Sequence, residues 1–254
     1  MFPIKKQKKR GVNMTNTIPF SNKGNVKMIA HRGVSGLELE NTCPAFVAAG
    51  VKSYYGIETD VHVTKDGKII VIHDDDLKRV AGKKMIVEKS NYDELRAVRM
   101  KDTDGVTERA DLFLPSLEEY VSICRKYNKQ AILELKNEMP AEKVWEIAET
   151  LKKMNWYSRT TFISFFGDNL LRLREKFADS SAQFLTEEAT GKEFDFMVKN
   201  HLDADLCGYC VSKDFVDKLH AAGRVVNCWT IDKIEHAEYV RDCGVDFITT
   251  NILE

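Results

Sequence analysis

Short apolar runs recur along this chain, separated by stretches whose apolar residues fall at helical spacing. The runs lie at residues 26–31, 55–60, 131–136, 160–165, 182–185, 206–209, 225–229 and 246–249, each the length of a buried strand. Among the helical stretches between them are residues 43–49, 117–127, 141–154, 169–177, 213–222 and 234–243. Ser116, three residues before Glu119, has the spacing of a capping box at the start of one of these. Strands alternating with helices predict parallel strands joined by crossovers. Eight such units within 254 residues predict an α/β fold, a (β/α)8 TIM-type barrel. A doubly wound open sheet is the alternative.

One connection breaks the rhythm. About seventy residues separate Asp60 from the strand at Ala131, and connections of that length are usually functional. It opens on Thr64-Lys65-Asp66-Gly67, a turn signal between two strand-like runs, and so predicts a hairpin. If Thr64 opposes Gly67, then His62 opposes Ile69, Asp60 opposes Val71 and Glu58 opposes His73. Opposed residues share a face, so His73 would return beside Glu58 and Asp60. A slip of one residue would turn it away.

Composition narrows the function classes. A net charge of −1 argues against a nucleic-acid binder. No run of about 18 apolar residues predicts a membrane span. Residues 1–25 read as a polar tail, disordered and carrying the basic run Lys5-Lys6-Gln7-Lys8-Lys9-Arg10, with no apolar stretch behind it of the kind an export signal needs. The six cysteines are therefore expected as reduced thiols in a cytoplasmic protein. Cys207 and Cys210 have CxxC spacing, but no second pair completes a zinc site.

The candidate chemistry collects at predicted strand ends. His31 ends the first strand and Arg32 follows it, Glu58 and Asp60 share a face of the second, His73 ends the hairpin, and Glu134 and Lys136 share a face of the next strand. In a barrel these ends converge on one mouth, where active sites form. Carboxylate oxygens suit a hard divalent cation such as calcium, magnesium or manganese. Arg32 and Lys136 could hold an anionic group, and two imidazoles supply acid/base capacity. The set points to phosphoryl transfer on an anionic diester. Gly24, Gly36 and the other scattered glycines make no phosphate-binding fingerprint, so a nucleotide cofactor is not expected.

The ordered motifs carry a resemblance. They are His31-Arg32-Gly33, Glu40-Asn41-Thr42, Glu58-x-Asp60, Thr64-Lys65-Asp66-Gly67, His73-Asp74, Leu114-Pro115-Ser116-Leu117-Glu118-Glu119, Leu133-Glu134-Leu135-Lys136, Ser164-Phe165, Trp229-Thr230-Ile231 and Gly244-Val245-Asp246. Together they resemble the glycerophosphodiester phosphodiesterase family over residues 26–254. Leu39 departs from the proline usual before Glu-Asn-Thr in that family. The resemblance implies a metal-dependent enzyme that cleaves glycerophosphodiesters to sn-glycerol 3-phosphate and an alcohol. It implies that Glu58, Asp60 and Glu134 bind one divalent metal ion and that His31 and His73 act as acid and base. It implies that Arg32 and Lys136 hold phosphate oxygens, that Trp229 lines the pocket, that Glu40 and Asn41 support the first loop, and that residues 77–114 form a small insertion in the long loop, lying over the barrel mouth. The expected partner is a small-molecule glycerophosphodiester. The alcohol, the metal, the oligomeric state, the roles of the individual histidines, and attack by water or by a glycerol hydroxyl all stay open.

Overall fold

The computed structural model describes residues 16–107 and 109–254, and the basic run at residues 5–10 lies outside them. Nine strands form one sheet: β1 (Lys27–Ala30), β2 (Gly56–Val63), β3 (Ile69–Val71), β4 (Gln130–Leu135), β5 (Thr160–Ser164), β6 (Ser181–Thr186), β7 (Asp203–Cys207), β8 (Val226–Trp229) and β9 (Phe247–Thr250). Eight of them are parallel in the order β1-β9-β8-β7-β6-β5-β4-β2, and β1 pairs back onto β2 to close the barrel. The open sheet is thereby excluded.

Alternation along each strand separates two environments. On β4, Leu133 and Leu135 join the apolar layer beneath the helices, whereas Ile132 and Glu134 face the lumen. Ile29, Ile132, Ile163 and Leu185 fill part of that lumen. Outside lie α1 (Cys43–Gly50), α2 (Lys78–Ala81), α3 (Tyr92–Arg96), α4 (Leu117–Lys126), α5 (Ala141–Lys153), α6 (Gly167–Lys176), α7 (Gly191–Lys199), α8 (Lys213–Ala221) and α9 (Ile234–Asp242). On α5 the buried residues Val144, Ile147, Ala148 and Leu151 make a single helical stripe against the barrel. The capping box on α4 forms: Glu119 N–H donates to Ser116 Oγ at 3.1 Å, and Ser116 N–H donates to Glu119 Oε2 at 2.7 Å. Helix α7 is not among the predicted helices. Its apolar side chains are the clustered Phe194, Phe196, Met197 and Val198, which do not repeat far enough along the chain to show a helical period.

The hairpin forms, but its register is one residue from the predicted one. Val61 pairs with Val71, His62 with Ile70 and Val63 with Ile69. The reason is the loop. Thr64 N–H donates to Lys68 O at 2.9 Å, enclosing three residues, not two, and Gly67 takes φ +75°. That is the three-residue hairpin with a left-handed final residue, which shifts the partner strand by one. His73 still reaches the lumen side, because β3 ends at Val71 and the chain bends beyond it.

Residues 77–114 carry α2, α3 and a separate apolar cluster that includes Leu77, Val87, Leu95, Met100 and Leu112. This region ties down the mouth's loops from the side. Arg79 donates to Glu40 and Asp74, and Arg109 Nη1 donates to Glu38 Oε2 at 2.7 Å. The residues lining the central cavity come from elsewhere in the chain. Residues 16–25, read above as part of a tail, are seated against the C-terminus: Phe20 is buried, and its N–H donates to Glu254 O at 2.7 Å.

Candidate active site

Three carboxylates enter the lumen at the mouth. Glu58 and Asp60 project from β2 and Glu134 from the neighbouring β4, where Asp60 pairs with Glu134. Each can bring one oxygen to within 4.8 Å of the others, and all three are buried. Burial, and then the charge of Asp60, pushes both Glu58 and Glu134 well above the usual carboxylate range. Burial also works against Asp60, but Arg32, His73 and Lys136 outweigh it and hold Asp60 well below that range. Asp60 Oδ1 is buried without a hydrogen-bond partner. Crowded hard oxygens, one of them orphaned, are the donor set a divalent cation would satisfy.

The cations and amides around them come from the predicted positions. Arg32 N–H donates to Glu58 Oε2 at 2.7 Å, its Nη1 donates to Glu40 Oε1 at 2.8 Å, and its Nε lies 3.4 Å from Asp60 Oδ2. Lys136 Nζ lies 2.9 Å from Glu134 Oε1 and 3.8 Å from Asp60 Oδ1. Asn41 Nδ2 donates to Asp60 Oδ2 at 2.7 Å, and Thr59 Oγ1 donates to Asn41 Oδ1 at 2.7 Å. Arg32 and Asn41 both take φ +54°, a conformation that side-chain-bearing residues adopt at a cost and that here aims their polar groups at the carboxylates.

The two histidines are held alike. His31 Nδ1 meets Asn251 Oδ1 at 2.7 Å, and Asn251 Nδ2 is committed to Asp232 Oδ2 at 2.6 Å. The amide therefore presents its oxygen, His31 carries its proton on Nδ1, and Nε2 is left with its lone pair, 4.0 Å from Glu58 Oε2. Burial, and then the neighbouring Arg32, lowers the His31 pKa to about 4, so the ring is neutral near pH 7. His73 Nδ1 donates to Asp74 Oδ1 at 2.8 Å, and Asp74 is gripped in turn by Arg79 Nε at 2.7 Å. His62, beneath this turn, meets the His73 carbonyl at 3.2 Å and so supports it.

His31, Arg32, Glu58, His73, Glu134 and Trp229 line one enclosed cavity of about 50 Å³. Trp229 stands edge-on to Phe165, with ring centroids 5.5 Å apart. Beyond His73 and Lys136 the cavity gives way to an open groove of about 800 Å³ walled by Phe165, Phe166 and Phe184. Three contributors were missed by sequence reasoning: Asn251, Arg79 and Asp205. Asn251 directly follows β9, and barrel closure beside β1 is the signal that would have placed it next to His31. Arg79 and Asp205 carry no local signal.

A family model described as the glycerophosphoryl diester phosphodiesterase family matches residues 31–254. The chain belongs to that family. It is thus a phosphoric diester hydrolase by class, and the ordered motifs fall inside the matched region. A Bacillus altitudinis glycerophosphodiester phosphodiesterase is 29% identical over 237 residues, spanning 89% of this chain and 94% of that one. Bacillus subtilis YqiK is 35% identical over 146 residues, and there the match spans 57% of this chain and 60% of the relative's length. A Parabacteroides distasonis glycerophosphodiester phosphodiesterase structure superimposes with a TM-score of 0.74 at 30% identity, covering 89% of this chain and 93% of that one. An Oleispira antarctica phosphodiesterase, solved in complex with the product sn-glycerol-3-phosphate, shares the fold with a TM-score of 0.81 at 23% identity, covering 89% and 92%. In this family member no helix of the described residues is long and apolar enough to cross a membrane.

Proposed function

We infer that this chain hydrolyses glycerophosphodiesters to sn-glycerol 3-phosphate and an alcohol, with a divalent cation held by Glu58, Asp60 and Glu134. One observation carries the reading: two imidazoles, each fixed through Nδ1, flank a buried carboxylate triad in one enclosed cavity. A cation bound there supplies positive charge against the phosphoryl oxygens. Arg32 and Lys136, on the rim of the triad, orient the phosphate and balance its charge. His31 is neutral and takes the proton of the attacking hydroxyl on Nε2, whether that hydroxyl belongs to water or to the glycerol itself. His73 returns a proton to the departing alkoxide from its own Nε2, with Asp74 fixing the ring. The product in the Oleispira complex supports the same substrate class here.

The test uses purified protein stripped of metal, with glycerophosphocholine as substrate and release of sn-glycerol 3-phosphate as readout. Calcium, magnesium or manganese is added back in turn. Release is expected to need metal, and His31→Ala or His73→Ala is expected to lower kcat about 10²–10⁴-fold with the fold retained. Metal-independent release, or full activity in both variants, overturns the assignment.

A further inference from the structure

One side chain in the cavity has no task in the chemistry above. Asp205 projects from β7, which the strand order places diametrically across the barrel from β2 and its two carboxylates. Asp205 lines the same enclosed cavity as His31, Glu58 and Glu134. It is only 1% exposed, and its Oδ1 is buried without a hydrogen-bond partner. The cavity wall it shares with Ile163, Leu185, Trp229 and Thr249 holds no second charge; Asn227, its partner on β8, is the polar neighbour of the carboxyl and is itself tied to Thr249 Oγ1 at 3.0 Å, while Trp229 Nε1 donates to the Asp205 backbone carbonyl at 3.2 Å. A buried carboxyl with one oxygen left unpaired costs stability, and such groups persist where a ligand answers them.

The two spaces that meet at His73 differ in kind. The inner cavity is about 50 Å³, and since some ~10–15 Å³ of such space holds one water, it has room for a short polyol and little more. The outer groove is about 800 Å³ and open, fit for alcohols of varied size. With phosphorus at the triad, the smaller substituent points inward at Asp205.

We propose that Asp205 is a specificity-determining residue that hydrogen-bonds a glycerol hydroxyl of the substrate, so that the glycerol half sits inside the barrel and the variable alcohol in the outer groove. Burial holds the carboxyl well above the usual range, with only Asn227 beside it favouring the charged form, so Asp205 presents both an O–H donor and a carbonyl acceptor. A hydroxyl can use both. The assignment rests on the glycerophosphodiester reading for its substrate, but its test does not need turnover.

The test compares binding of sn-glycerol 3-phosphate and n-propyl phosphate to the metal-loaded protein by calorimetry; the two ligands differ only in the two glycerol hydroxyls. The unaltered protein is expected to prefer sn-glycerol 3-phosphate. Asp205→Leu is expected to lose about tenfold of that preference, and Asp205→Asn, which keeps a donor and an acceptor, to retain most of it. Asp205→Leu is also expected to melt no lower than the unaltered protein, because Oδ1 has no hydrogen bond to lose and Asn227 keeps its bonds to Thr249. An equal loss for both ligands, or a preference untouched in Asp205→Leu, overturns the proposal. So does an unaltered protein that binds the two ligands alike. Failure of the catalytic reading shows separately, as absent turnover of glycerophosphocholine with the ligand preference and its loss in Asp205→Leu intact.

Discussion

Asn41 holds Asp60, the central carboxylate of the triad, and its replacement gives the most demanding test of the site. It is 3% exposed, donates through Nδ2 to Asp60 Oδ2 and accepts from Thr59 Oγ1, both at 2.7 Å. Its backbone at φ +54° lets its own N–H reach Arg32 O at 2.9 Å. Asn41→Gly keeps that backbone and deletes both side-chain bonds. The bond to the charged Asp60 is worth about 1.5–3 kcal/mol, and a buried Thr59 hydroxyl left unpaired costs about 1–3 kcal/mol, so the loss is about 3–5 kcal/mol. Asn41→Ala adds about 1 kcal/mol of left-handed strain. Glycine's greater freedom in the unfolded chain offsets most of that difference, about 0.4–1 kcal/mol, so the two variants unfold at similar denaturant concentrations. With Asp60 no longer oriented, metal affinity falls about 10–100-fold in both. Urea unfolding of the metal-free proteins and calorimetric titration with magnesium, calcium and manganese measure the two effects. An Asn41→Gly protein with unchanged unfolding midpoint and metal affinity refutes the role. An Asn41→Ala protein far less stable than Asn41→Gly shows that backbone conformation, not the hydrogen bonds, is what Asn41 supplies.

Metal removal is expected to lower the melting temperature, since the triad's repulsion is then unrelieved; free cation at about 100 times its Kd restores about 2.7 kcal/mol, and a melting curve indifferent to chelator contradicts the metal site. Hydrogen bonds from Arg79, opposed by burial and aided by His73, bring the Asp74 pKa to about 2. A depressed carboxyl stabilises above its unfolded pKa of about 3.9 and loses that contribution as pH falls through the folded value. Asp74→Asn therefore costs about 1–2 kcal/mol at neutral pH after allowance for solvent screening, and less at pH 3; urea unfolding with equal cost at both pH values rejects this linkage. Gly33→Ala places a Cβ 2.6 Å from the Ala45 carbonyl carbon at a residue with φ +78°. It is expected to cost about 3 kcal/mol in unfolding experiments and to loosen the loop that carries His31 and Arg32.

How much of this was legible in the chain depends on how far apart the cooperating residues lie. Barrel and triad were readable because alternation is local: Glu58 and Asp60 share a face whatever the tertiary context, and so do Glu134 and Lys136. The hairpin register was not readable from hydrophobic pattern alone. Thr64-Lys65-Asp66-Gly67 suits a two-residue or a three-residue loop, and only the left-handed Gly67 with the Thr64–Lys68 bond decides between them. His73 survived the slip because its position depends on where β3 stops, not on pairing parity.

Residues that act through distant partners left no such trace. Asn251 sits 220 positions from His31 and fixes its tautomer. Only the closure of β9 onto β1 brings them together. Asp205 is harder still, because the alternation Asp203-Ala204-Asp205-Leu206 reads as a strand with one solvated face, whereas Asp205 is buried without a charged partner and so contradicts the rule that acidic side chains stay out of the interior. That contradiction is itself informative. The carboxylates of β2 and β4 violate the same rule, and there Arg32 and Lys136 stand beside them and the three oxygens are grouped as a cation site would need. Asp205 breaks the rule with only the Asn227 amide beside it and with Oδ1 unpaired, which turns the search for the partner of that oxygen towards whatever enters the cavity.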